Sequence, residues 1–306
     1  MVREDLEKAR VRLSSKADRK NLLLATSVTL LALFGFIAFL NLIGSVNLGF
    51  REGQRSIERF LMWLVIAILA FIGPYGFYLA RKTREIKQIE RRLPDFLRDV
   101  AEAGRFGMTL AEAIVVSSSG RYGKLTPEIK KMAAQISWGV PATEALRLFS
   151  ERVKTPKVQR VVAIIVKSSD AGGDVADVLT MVSHDTKEGQ LTEDERRIAM
   201  STYVAVIYIS FVVFLATIAI LNATFLPKML EASGALTQTS GQIQSPLAEN
   251  LPEVVFNIRI AFFIATIVHG LGDGILAGVL DNGKVPTGLK HSFVMLAIAL
   301  GAFMVI

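Results

Sequence analysis

Gly270-Leu271-Gly272-Asp273 lies inside an apolar run over residues 258–280. An ionisable residue in such a run is expensive to bury and is therefore a functional candidate. Hydrolysis by carboxylates needs two of them sharing a proton across one water, so that one acts as acid and the other as base. No other apolar run of the chain carries an Asp. Asp281 comes two turns further along the same helix, and Asp95, Asp99 and Asp170 belong to a polar segment elsewhere. His269 and Asp273 are four residues apart, the spacing that brings two side chains together on one helix face, and they read as an intramembrane polar pair. Gly270, Gly274 and Gly278 also recur every four residues and leave a flat face that a neighbouring backbone can approach closely. Helix packing or an oligomer contact therefore accounts for more of this cluster than hydrolysis does.

Other chemistry is excluded by composition and spacing. There is no cysteine, which removes disulfides, thiolate metal sites and cysteine nucleophiles. His184 and His291 stand alone, without a partner at metal-ligand spacing. No phosphate-binding GxxxxGK[ST] loop, HExxH pair or GxSxG elbow is present, so neither catalytic residues nor a cofactor nor a metal is assigned. Asn222-Ala223-Thr224 is a glycosylation sequon, but it falls at the edge of an apolar run and is expected to go unused.

The elements that must carry these residues are membrane spans. The hydrophobic share is 51%, and a net charge of +7 on such a chain marks an integral membrane protein, not a soluble nucleic-acid binder. About 20 apolar helical residues cross a bilayer, and residues 22–43, 60–80, 198–226 and 258–280 meet that length. Residues 289–306 are marginal. The expected fold class is an all-α integral membrane protein with about five spans and one cytoplasmic antiparallel helical bundle. Its parts are a charged N-terminal helix (1–21), a two-span hairpin (22–80), the bundle (81–197) and a C-terminal region of about three spans (198–306) with an external loop over 227–257. The run at 22–43 reads as a retained anchor, because the leader before it is long, partly acidic and lacks a cleavage pattern. Lys and Arg are dense in the leader and in the central segment, whereas 227–257 offers only Lys228. By the positive-inside rule the N-terminus and central segment are cytoplasmic and the C-terminus is external. Arg51, Arg55 and Arg59 in a short external loop run against that rule.

The central segment is punctuated as about six short helices without strand alternation. Residues 85–104 carry apolar positions at helical spacing, with Pro94 as a kink or restart. Thr109 with Glu112 forms a capping box, and Thr192 with Glu195 a second one, expected to launch the helix into the third span. Thr126-Pro127 and Thr155-Pro156 read as N-caps followed by proline, and Pro141 opens a further helix. A bundle buries the apolar faces of such helices. Arg81, Lys82, Arg84, Lys87, Arg91 and Arg92 crowd its border, and Lys284 and Lys290 lie in a turn after the fourth span. These cations set topology and touch anionic lipid headgroups, and they are also candidates for facing a cytoplasmic partner.

Three strings, LPDFLRDVAEAGRFGMTLAEAI, GVPATEALRLFSERV and SSDAGGDVADVL, follow one another in this segment. In that order, ahead of transmembrane helices, they resemble the cytoplasmic domain of the type II secretion system F family, the membrane platform proteins of type IV pili, Tad pili and archaella. The likeness covers roughly residues 90–184, with one domain copy as in Tad-type platforms and a C-terminal part closer to the archaeal branch. It implies a non-enzymatic scaffold in the cell membrane that couples a hexameric secretion ATPase to insertion or extraction of pilin-like subunits. It also implies a dimer or higher oligomer with itself or a paralogous subunit. Two alternatives belong to other classes. One is a GxGD-type intramembrane aspartyl protease, similar to a prepilin peptidase, acting through Asp273. The other is a membrane transporter lined by His269 and Asp273, against which stand the large polar segment and the lack of inverted repeats with broken helices.

Overall fold

Backbone amides that cannot reach water must bond within their own segment, and helices do this most simply. In the computed structural model the backbone is described for residues 2–46, 48–49, 55–239 and 246–305, and side chains for 21–46, 48–49, 55–232 and 250–304. All regular structure among these residues is helical. The chain divides into two compact units, Met1–Ala80 with Ala199–Ile306, and Arg81–Ile198. Five helices are long and apolar enough to cross a membrane.

The second unit is a bundle built from the end of α2 (Ser56–Glu90), from α3 (Leu93–Arg105), α4 (Leu110–Ser117), α5 (Thr126–Ser137), α6 (Ala142–Val153) and α7 (Pro156–Asp170), and from the first half of α8 (Val175–Ile220). Its core includes Phe96, Leu97, Ile129, Met132, Phe149 and Ile165, all buried. Pro94 restarts the helix, since α2 stops at Glu90 and α3 begins at Leu93. The Thr109 hydroxyl accepts from the Glu112 amide while the Glu112 carboxylate accepts from the Thr109 amide, which completes the expected capping box. Those bonds hold the Glu112 carboxyl below the usual glutamate range. Thr155 caps α7 as its spacing predicts. Thr126 does not cap α5. It is already the first helical residue, following a 3-10 turn, and its hydroxyl accepts from the Tyr122 amide. Tyr122 itself is buried against Phe96, its hydroxyl 2.6 Å from Asp99. Burial and that carboxylate push the phenol above its ordinary range.

Three turns of this bundle repeat one geometry. Gly107, Gly139 and Gly172 take φ of 85°, 90° and 72° after α3, α5 and α7. In each, the next amide bonds back to a carbonyl five residues earlier: Met108 to Ala103, Val140 to Gln135 and Gly173 to Ser168. This is the Schellman cap, which needs a left-handed residue that glycine adopts without strain. The three turns share one end of the bundle. Arg105 reaches Asp177 at 3.9 Å, joining the end of α3 to the start of α8. Arg147 in the second turn of α6 reaches Asp170 at the end of α7 at 3.3 Å.

The second capping box is not formed, and this corrects the expectation of a helix opening at Thr192. The helix runs unbroken from Val175 to Ile220, and the Thr192 hydroxyl donates back to the Glu188 carbonyl. A Thr-x-x-Glu string caps only where the preceding residues leave the helix, and here they stay in it. The expected loop over 227–257 is also largely helix, with α9 (Leu226–Thr239) following a five-residue π turn and α10 (Pro246–Asn282) beginning before the fourth span.

The first unit centres on its last helix, α11 (Leu289–Val305). Met295 and Leu296 of α11 are buried, the first beside Phe211 and Leu215 of α8, the second beside Met62 and Val65 of α2. Phe293 lies over Gly73 of α2, where an added Cβ would meet its ring at 2.9 Å. Against α10 the approach is closer still. A Cβ on Gly274 would collide with the Ser292 backbone, and one on Gly278 with the Gly288 backbone. Ser292 and Thr287 donate their hydroxyls to the Leu271 and Gly278 carbonyls at 3.0 Å each. The first helix, α1 (Val2–Ile43), buries Ser27, Ala38 and Asn41 and leaves Leu33, Phe36, Phe39 and Ile43 outside, the pattern a hydrocarbon surround would cover.

Gly278→Ala is expected to destabilise the full chain by about 1–3 kcal/mol through overpacking. Gly272→Ala, with nothing within 4 Å of its added methyl, should leave stability unchanged or slightly raised. Thermal unfolding of the detergent-solubilised protein compares the two.

Candidate functional site

Where α2 ends, α8 passes alongside, and polar groups tie the two. Gln190 donates its side-chain amide to the Glu90 carbonyl at 2.7 Å, and Ser183 donates its hydroxyl to the Pro94 carbonyl at 2.9 Å. The first satisfies a carbonyl left open where α2 ends, and the second adds a bond from α8 to the first turn of α3. Around them stand ion pairs: Arg91 with Asp194 at 2.6 Å, Lys87 with Glu193 at 3.9 Å, and Lys157 at the start of α7 with the same Glu193 at 3.1 Å. Exposed pairs of this kind contribute on the order of 0–1 kcal/mol each, so they set register more than stability.

This arrangement divides the candidate basic residues. Lys87, Arg91 and Arg92 are held by Glu193, Asp194 and Asp95 of the same unit. Arg81, Lys82 and Arg84 are exposed and make no ion pair among the described residues. In the turn after α10, Lys290 pairs with Asp281 at 3.2 Å, while Lys284 is exposed and unpaired among the described residues.

In the first unit, His269 Nδ1 lies 3.2 Å from the Asp273 carboxylate, with the His269 ring against Phe214. Gly270, Gly274 and Gly278 all face neighbours within the chain: Leu296 and Phe211, the Ser292 backbone, and the Gly288 backbone. Asp273 and Asp281 share α10 eight residues apart, about 12 Å along the axis, too far to share a proton. No other aspartate lies among the described side chains of this unit. His291, expected to stand alone, does not. Its Nδ1 meets the Tyr208 hydroxyl at 2.7 Å, and its Nε2 lies 3.9 Å from the Asp281 carboxylate, so a half-buried polar cluster links α8, α10 and α11. Tyr208 is 83 residues away in sequence, which is why spacing did not reveal it. His184 lies 3.8 Å from Glu188, one turn on. Asn222 is buried within the π turn, its amide donating to the Ile218 carbonyl, so its side chain is not presented for modification. No group of His, Asp and Glu that could hold a metal occurs among the described residues.

Comparison with known proteins places this architecture. Residues 96–223 match the family described as type II secretion system, protein F. An uncharacterized protein of Methanocaldococcus jannaschii is 31% identical over 218 residues, 71% of this chain and 33% of the relative. The flagella accessory protein J of the same organism is 22% identical over 233 residues, 75% of this chain and 41% of the relative. The chain thus spans about a third to two fifths of these relatives' lengths. No solved structure matches it.

Tyr208→Phe removes the hydroxyl at His291 and leaves a half-buried imidazole nitrogen without its partner. The expected cost is about 1–3 kcal/mol in the full chain. Tyr203→Phe, at an exposed tyrosine of the same helix, should cost nothing measurable in the same unfolding experiment.

Proposed function

From the match of residues 96–223 to the type II secretion system F family, we propose that the protein is the membrane platform of a type IV pilus-like or archaellum-like machine. In this reading it couples a hexameric cytoplasmic ATPase to the insertion or extraction of pilin-like subunits. The observation that carries the reading is the extent of the match. It begins in α3, runs through the remaining helices of the bundle and continues along the apolar half of α8 into the π turn. A relative named as a flagella accessory protein supports a filament as the product. The chain contributes no chemistry of its own. ATPase motion displaces the bundle, and the two chain connections, residues 81–92 and 191–200, pass that displacement to the spans of α2 and α8. Pilin hydrophobic segments are handled on the membrane face, and copies of the chain or a paralogous subunit assemble around the filament.

Two properties favour this mechanism over a passive anchor. Both connections are helical with only the short break before Leu93, and that break is tied to α8 by the Gln190 and Ser183 bonds. Residues 81–84 carry three exposed cations, unpaired among the described residues, beside an apolar run, the pattern of a cytoplasmic membrane border that also contacts anionic lipid.

Affinity purification of the full chain from solubilised membranes, followed by mass spectrometry, should retain a secretion-type ATPase and pilin-like subunits. Recovery of neither sinks the platform reading. Gly-Pro insertions in both connections should abolish filament assembly while that ATPase is still retained, and intact filaments would refute the coupling step.

Orientation has a separate test, because the chain has no cysteine of its own. Lys228→Cys should react with an impermeant maleimide on intact cells, whereas Lys124→Cys should react only after permeabilisation. The opposite pattern inverts the topology.

A further inference from the structure

The three Schellman turns of the bundle place residues of different character at one structural position. The residue just before the left-handed glycine is Phe106 in the first, Trp138 in the second and Ala171 in the third. The cap is made by backbone groups alone, and the alanine shows that it needs no ring there. Yet Phe106 is 85% and Trp138 81% exposed, the two most exposed large apolar side chains among the described residues. Met108 stands exposed in the same turn as Phe106. The fold leaves these rings without a function in packing.

Their surroundings are acidic. Glu112, Glu144 and Asp174 stand exposed in or just before the first turns of α4, α6 and α8, unpaired by any cation among the described residues. From Arg105, next to Phe106, a groove of about 420 Å³ runs along α8 past Asp177, Met181, Asp185 and Glu188. Met181 is exposed in it, and three carboxylates face Arg105 and His184 there. The aromatic end lies at the start of α8, and the bundle ends at Ile198, more than twenty residues and about 30 Å further along that helix. An acidic, aromatic surface is unsuited to anionic lipid and suited to protein.

We propose that Phe106 and Trp138, with the acidic groove beside α8, form the docking surface for a cytoplasmic protein that offers apolar recesses flanked by lysines and arginines. This rests on the platform reading, in which that protein is the ATPase. It moves the contact away from the basic border at Arg81, Lys82 and Arg84 to the opposite end of the bundle. Aromatic side chains closing into recesses are the usual energetic centre of such interfaces, and the carboxylates steer and orient the approach.

The test uses the full chain in nanodiscs and the purified secretion ATPase of the same organism, with affinity measured by biolayer interferometry. The double variant Phe106→Ala with Trp138→Ala should weaken binding at least about tenfold. Phe106→Tyr with Trp138→Phe, which keeps the rings, should restore it. Glu144→Lys with Asp185→Lys should slow association and flatten its salt dependence, while Arg81→Ala with Lys82→Ala and Arg84→Ala should leave affinity unchanged. Unchanged thermal unfolding of the double alanine variant excludes a folding defect. If the natural chain binds the ATPase and the double variant binds equally well, the docking surface is refuted and the platform reading stands. If the natural chain does not bind, both fall. If the double variant changes only the oligomeric state of the chain, the surface joins copies of this protein and the proposal is overturned.

Discussion

The span unit depends on one backbone-to-backbone approach. Gly274 and Gly278 of α10 touch the Ser292 and Gly288 backbone so closely that a single methyl at either position would collide. In a hydrocarbon surround there is no hydrophobic force to draw helices together, so contact area and hydrogen bonds must do it. The glycine face supplies the area, and the Ser292 and Thr287 hydroxyls supply bonds to the α10 carbonyls. Once α11 is fixed in this way, its other faces are set for α2 at Phe293 and Leu296 and for α8 at Met295. The Tyr208–His291 contact then helps set the height of α8 against α11, since sliding would part a half-buried imidazole from its partner.

The bundle is organised by a different constraint. Its helices are short, and three of its reversals use one cap, so their ends are defined by backbone geometry more than by side chains. Only α8 is long. Its first half buries Leu179 and Val182 in the bundle core, and its second half carries Phe211 and Leu215 to the α11 contact. One helix thus takes part in two cores, with different residues in each.

Much of this was legible in the residues, and the exceptions have physical causes. Thr109 with Glu112 and Thr192 with Glu195 are the same string, but one caps a helix and the other does not. The first follows Gly107, whose left-handed backbone ends α3, while the second follows Gln190, whose side chain is bound to Glu90 and keeps α8 in place. A capping string permits a start without compelling one. The four-residue glycine period announced a close contact, but its partner at Ser292 and Gly288 lies in another helix and leaves no mark on the period. Residues 289–306 looked marginal as a span because Lys290, His291 and Ser292 dilute their apolar character. Those residues are turned to Asp281, Tyr208 and Leu271, so the dilution marks the end of the helix that packs on protein. The exposed rings of Phe106 and Trp138 were invisible to periodicity, which detects what is buried.

The central position of α11 has a consequence for how the protein is made. It follows α2, α8 and α10 in chain order, so each of them emerges from the ribosome before the helix it packs on exists. Between Gly73 and Phe293 that delay is on the order of tens of seconds at ordinary elongation rates. During it, the Gly73 face of α2 is without the Phe293 ring that covers it. That contact is therefore completed long after α2 is made, only once α11 has been inserted beside it.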